Sequence, residues 1–134
     1  MSSCVGPEMR RQVASRADHR CEYCLIRQSD TYFGCEIDHI IAEKHGGQST
    51  AENLAFCCAL CNRAKGTDIA SYDESTGGFV RLYHPRTDRW EDHFEIDGPF
   101  IRPLTIIGQM TVRLLGLNRS DRVSERQAIR ESQT

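Results

Sequence analysis

The chain has 134 residues, 39% of them hydrophobic and 27% charged, with a formal net charge of −2. That length builds one modest core, and the composition lacks the polar bias of a disordered chain. The near-neutral balance argues against a protein that coats nucleic acid indiscriminately, while leaving room for a local basic groove.

The longest apolar run, Leu54 to Cys61, is eight residues and contains three cysteines, far short of a membrane span. Residues 1–7 lack the basic start and long apolar stretch of a secretory signal, so the expected compartment is the cytoplasm, where disulfides are disfavoured. Lys44 and Lys65 are the only lysines; the other basic side chains are arginines, whose planar fork suits phosphate.

In chain order, Pro7 to Asp18 is predicted to be an amphipathic helix, with Pro7 in its first turn and Met9, Val13 and Ala17 on one face. Arg10, Arg11 and Arg16 fall off that face, either solvated or tracking a phosphate backbone. Phe33, Cys35 and Ile37 alternate with polar residues, which predicts a short strand ending at Asp38-His39. Glu43 to Gly47 is a loop with two glycines, and Ser49-Thr50-Ala51-Glu52 has the form of a capping box opening a helical turn. A second strand is expected over Asn53 to Cys57, with a helix starting near Asn62. Strand, loop, strand, knuckle and helix make a ββα-metal element, in which a hairpin and a helix face each other across a cation.

After Gly77-Gly78, strands are expected over Phe79 to Tyr83 and His93 to Ile96, joined by a loop containing Pro85, with a turn at Asp97-Gly98. Thr105 to Leu115 reads as a helix capped by Thr105 and stopped by Gly116, and Ser120 to Glu131 as another. Arg122, Arg126 and Arg130 share one face of the last helix, interleaved with acids: a solvated surface or a phosphate stripe.

Four of the seven cysteines form two pairs, Cys21-x-x-Cys24 and Cys58-x-x-Cys61. Each such turn lets two thiolates reach one Zn²⁺ at about 2.3 Å, and two turns complete a closed structural site with no open position for chemistry. A redox motif or a set of merely buried thiols is the competing reading. The 33 residues between the pairs exceed the usual ribbon spacing, so something substantial is inserted there. Cys4, Cys35 and Cys57 are poor ligand candidates, Cys57 because it points away from its neighbour in an extended chain.

The string Glu36-Ile37-Asp38-His39-Ile40-Ile41, then His45-Gly46-Gly47, Glu52-Asn53-Leu54 and Cys58-x-x-Cys61-Asn62-x-x-Lys65-Gly66 resembles the HNH endonuclease motif of the cysteine-bearing subgroup. Its closest stretch is Arg20 to Gly66, and the third signature residue is Asn62 where many members carry histidine, giving an H-N-N variant. The spacing of His39, Asn53 and Asn62, fourteen then nine residues, is also similar to the HNH domain of RNA-guided CRISPR nucleases. The expected fold is α+β: a small zinc-stabilised ββα-metal core, treble-clef-like, at about residues 20–70, with an N-terminal helix and a C-terminal α+β extension at about 77–131, all one domain over 1–134.

The resemblance implies a divalent-metal-dependent endonuclease that hydrolyses phosphodiester bonds, leaving 5′-phosphate and 3′-hydroxyl ends. His39 is then the general base, a role to which an imidazole is suited. Asp38 and Asn62 hold one ion, and their hard oxygens favour Mg²⁺ or Mn²⁺. Asn53 orients the His39 loop through hydrogen bonds, since an amide does not titrate. Lys65, Arg63 and His45 are candidate phosphate contacts. DNA is the expected partner, with RNA an open alternative, no membrane, and a monomer or homodimer as the working form. The competing reading is a zinc-stabilised module that binds nucleic acid or protein without cutting.

His84-Pro85-Arg86-x-x-x-Trp90-x-x-His93-Phe94 resembles a tail found in some small bacterial HNH proteins, with no catalytic role implied. Packing or hydrogen bonding is expected of His84 and His93, ahead of a further metal or phosphate site.

Overall fold

A computed structural model describes residues 5–133. They fall into two compact units: the first runs to Asp68 and takes in His84–Thr87, and the second comprises Ile69–Tyr83 and the chain from Asp88 onward.

In the first unit, helix α1 (Pro7–Arg16) has proline in its first turn, where the missing N–H costs nothing. Its Val13 is fully buried with Leu54 and Phe56, and Met9, Ala14 and Ala17 pack around them. Arg16 donates to the carbonyls of Ala51 at 2.8 Å and Leu54 at 2.6 Å, so this arginine fastens the helix and does not track phosphate.

Strands β1 (Cys35–His39) and β2 (Leu54–Cys58) pair antiparallel, with Cys35 opposite Cys58 and His39 opposite Leu54. β1 begins later than the alternation suggested because Gly34, at φ +82, turns the chain, leaving Tyr32 and Phe33 exposed. Every residue of β2 is buried. Helix α2 (Ala59–Lys65) follows without a loop, and the Cys58 sulfur accepts from the Cys61 N–H at its start. The expected capping box forms only a 3-10 turn, Ala51–Asn53, with no side-chain cap.

In the second unit, the two strands expected around Pro85 do not pair with each other. Each belongs to its own hairpin: β3 (Ala70–Asp73) with β4 (Gly78–Arg81), then, after the short helix α3 (Trp90–His93), β5 (Phe94–Asp97) with β6 (Phe100–Pro103). Local closure wins because Gly77 at φ +73 and Gly98 at φ +59 supply tight turns at once. Helices α4 (Ile106–Leu115) and α5 (Ser120–Ser132) complete the unit. The Thr105 hydroxyl caps α4 by accepting from the Gly108 N–H at 3.0 Å, and Gly116, in the left-handed region, ends it.

The arginine stripe on α5 is largely structural. Arg122 is buried and paired with Glu125, and Arg126 donates to the carbonyls of Pro99 and Leu117. Arg130 alone of the three is exposed. Among the described residues, no helix is long and apolar enough to cross a membrane.

Candidate metal centres of the first unit

The two knuckles meet where β2 runs into α2. The ligand atoms of Cys21, Cys24, Cys58 and Cys61 all lie within 4.8 Å of one another, and all four residues are buried. Cys24 Sγ and Cys58 Sγ are 3.7 Å apart, against about 3.8 Å for the edge of a tetrahedron with Zn–S bonds of about 2.3 Å. Burial pushes the Cys21 thiol well above its ordinary value, so four such groups ionise together only around a cation. The donor set, spacing and burial therefore fit a closed structural zinc site. Cys57 is outside the group, donating to the Cys58 carbonyl at 3.4 Å, and Cys35 is only half-buried. Cys4 lies outside the described residues.

The first knuckle is tied to β2 at Phe56: the Glu22 N–H donates to the Phe56 carbonyl and the Phe56 N–H to the Glu22 carboxylate, both at 2.8 Å. The other oxygen of that carboxylate pairs with Arg86. His84 Nδ1 accepts from the N–H groups of Arg86 at 3.1 Å and Thr87 at 3.3 Å, shaping the turn that presents the arginine. In the second unit, His93 Nδ1 lies 2.6 Å from the Thr105 hydroxyl, and Trp90 packs on Phe94 with ring centroids 5.1 Å apart. The tail motif thus packs and hydrogen-bonds. Among the described residues, the four cysteines form the metal-type cluster, without His84 or His93.

Asp38, His39 and Asn62 line one cleft of about 340 Å³, together with Ala42, Glu43, Lys44 and Thr67. Asp38 comes from β1, His39 from its last position and Asn62 from α2, so the hairpin and helix bring them together. Asp38 is buried, with its Oδ2 accepting from the Tyr23 hydroxyl at 3.0 Å and lying 3.2 Å from the Lys65 ammonium. Burial raises the Asp38 carboxyl above its ordinary value, opposed by the attraction of Lys65 and by the Lys65 and Tyr23 hydrogen bonds.

His39 Nε2 and Ser49 Oγ are 2.8 Å apart. Ser49, read in the sequence as part of a helix cap, is therefore a partner of the imidazole. Asn53 spans the loop that follows His39: its Nδ2 donates to the carbonyls of Ile41 at 2.9 Å and Gln48 at 2.8 Å, and its Oδ1 accepts from the Ile41 N–H at 2.9 Å. Gly47 permits this closure, since a Cβ there would lie 1.7 Å from the Ile41 carbonyl oxygen.

The expected phosphate contacts separate. Arg63 is exposed on α2, and His45 is exposed with Nε2 3.2 Å from the Thr67 carbonyl. Lys65 is 2% exposed, its ammonium directed at Asp38 and at the His39 carbonyl, 3.3 Å away. In this state it is the counter-ion of a carboxylate and is closed off from a backbone phosphate. Asn62 donates to the Glu36 carboxylate at 2.5 Å. Glu36 was legible: strand alternation places it on the Asp38 side of β1. Nothing in the sequence signals that Tyr23 and Ser49 take the partners they do.

An antiparallel hairpin and a helix around a cleft, stapled by four buried thiols, define a small zinc-type ββα-metal fold. Residues 21–68 match the family model described as HNH endonuclease, and this segment is an HNH domain whose cysteine cluster fits the zinc-binding subgroup. HNH domains are nuclease-type, metal-binding modules. No curated protein and no solved structure matches the chain.

Proposed function

We propose that the protein is a divalent-metal-dependent endonuclease that hydrolyses phosphodiester bonds in DNA, with His39 as general base and one Mg²⁺ or Mn²⁺ ion held by Asp38 and Asn62. The observation that carries this reading is the single cleft lined by all three residues within an HNH domain. A carboxylate and an amide carbonyl are hard oxygen donors, which suit these ions. Bound there, the ion supplies charge relief at a phosphate oxygen and at the leaving 3′ oxygen.

The imidazole of His39 takes the proton from the attacking water, and Ser49 and Asn53 hold the ring and the loop behind it. Arg63 and His45, both exposed, meet the phosphate backbone. Lys65 already neutralises Asp38, so an ion held at this carboxylate would share or displace that ammonium.

The same pair favours a second reading. A buried carboxylate already neutralised by lysine suits a zinc-stabilised module that grips nucleic acid without cutting. The two readings separate when supercoiled plasmid and a structured RNA are each incubated with zinc-loaded protein and Mg²⁺ or Mn²⁺ at equal salt. The nuclease reading expects relaxed or linear plasmid with 5′-phosphate ends, and DNA cut in preference to RNA. Intact plasmid under every divalent ion, with the protein still retarding DNA on a gel, leaves the binding module.

A further inference from the structure

We propose that Glu36 is a positioning residue for the catalytic ion: it fixes the orientation of the Asn62 amide so that the carbonyl oxygen, and not the NH₂ group, is offered to the cation. The inference rests on the nuclease reading above for the ion itself, and on one contact for the positioning.

An asparagine amide turned half a circle presents a donor where it had presented an acceptor, and only the acceptor binds a cation. A neighbour that is acceptor-only removes the choice. Glu36 is such a neighbour when ionised, and the Asn62 Nδ2 donates to its Oε1 at 2.5 Å. With Nδ2 held on Glu36, Oδ1 points elsewhere, and it makes no hydrogen bond among the described residues. The chain arranges this by simple means. Glu36 and Asp38 are two apart on β1 and project from the same face, while Asn62 sits one turn into α2, which packs against that strand.

Glu36 is exposed, so replacing it should leave the fold and the zinc intact. The test is calorimetric titration of Mn²⁺ into zinc-loaded protein, without DNA, for wild type, Asp38→Asn, Glu36→Ala, Glu36→Gln, Asn62→Ala and the double variant Glu36→Ala/Asn62→Ala. The side-chain amide signals of Asn62 are recorded by NMR in the same proteins before Mn²⁺ is added. Removing a charge-assisted bond at an exposed site should weaken Mn²⁺ binding about five- to tenfold in Glu36→Ala. Glutamine keeps an acceptor but can also turn a donor toward Asn62, so Glu36→Gln should fall between wild type and Glu36→Ala. Glu36→Ala should add nothing in the Asn62→Ala background, and it should move the Asn62 amide signals in metal-free protein.

Three results overturn the proposal: Glu36→Ala binding Mn²⁺ as tightly as wild type; a full additional loss in the double variant, which would make Glu36 an independent ligand; or Asn62 amide signals indifferent to Glu36→Ala. Mn²⁺ binding that is missing in wild type, or unaffected by Asp38→Asn, overturns the nuclease reading and the positioning role together. Asn62 signals that ignore Glu36 while Mn²⁺ still binds at Asp38 overturn the positioning role alone.

Discussion

The Lys65 ammonium stands 3.2 Å from the Asp38 carboxylate, with the two side chains 2% and 5% exposed, inside the domain assigned to metal chemistry. A pair so enclosed is costly to break from one side, because the surviving charge is left buried without its counter-ion. Lys65→Met should therefore destabilise the zinc-loaded protein by about 3–5 kcal/mol. Urea unfolding followed by circular dichroism measures this, and a midpoint unchanged by Lys65→Met would show that the ammonium is not the partner on which Asp38 depends.

Tyr23 connects the zinc knuckle to the same carboxylate. It lies between Cys21 and Cys24, is 1% exposed, and donates its hydroxyl to Asp38. Tyr23→Phe removes that hydrogen bond with little change in shape and should cost about 1.5–3 kcal/mol, as expected for a bond to a charged group. Plasmid nicking should fall while zinc content stays at one ion per chain. Unaltered nicking and stability would show that Lys65 alone orients Asp38.

The zinc site should be a condition of folding. Stripping the metal with a chelator, or Cys58→Ser, should unfold or aggregate the protein, since four thiolates buried this close together repel one another without a cation between them. Metal content and thermal melting are the measurements. A metal-free protein that melts cooperatively near the wild-type temperature would contradict the assignment.

The loop behind His39 is closed by Asn53 and made possible by Gly47. Gly47→Ala would drive a Cβ into the Ile41 carbonyl oxygen, at 1.7 Å, and push the Asn53 amide, at 2.8 Å. Such overpacking should cost about 1–3 kcal/mol and lower nicking more than it lowers Mn²⁺ affinity, because the loop backs the base and not the ion's ligands. Equal losses in both would place the damage in the fold as a whole.

Much of the first unit is legible because its signals are local and chemically narrow. Paired cysteines at fixed spacing, an alternating run ending in Asp38-His39, and a glycine pair before Asn53 each point to one geometry, and together they outline the hairpin, the knuckles and the helix. What escapes is partner choice in three dimensions. Lys65 reads as a surface cation until the register of β1 and α2 brings it to Asp38. Ser49 reads as a cap until the loop carries it to His39. The arginines of α1 and α5 read as a solvated face or a phosphate stripe, yet Arg16 and Arg126 are spent on backbone carbonyls. In the second unit β3 and β6 carry no readable signal, because four-residue strands beside glycine turns leave too short a pattern to separate from loop.

The proposed role of His39 is that of the base in a metal-dependent cut. Its most direct test compares zinc-loaded wild type with His39→Ala on supercoiled plasmid in Mn²⁺, after Mn²⁺ titration has shown that both proteins bind the ion alike. The expected result is nicking by wild type and a loss of at least about a hundredfold in the variant, the scale of a general-base contribution. No nicking by wild type with any divalent ion, or equal nicking by the two proteins, would contradict it.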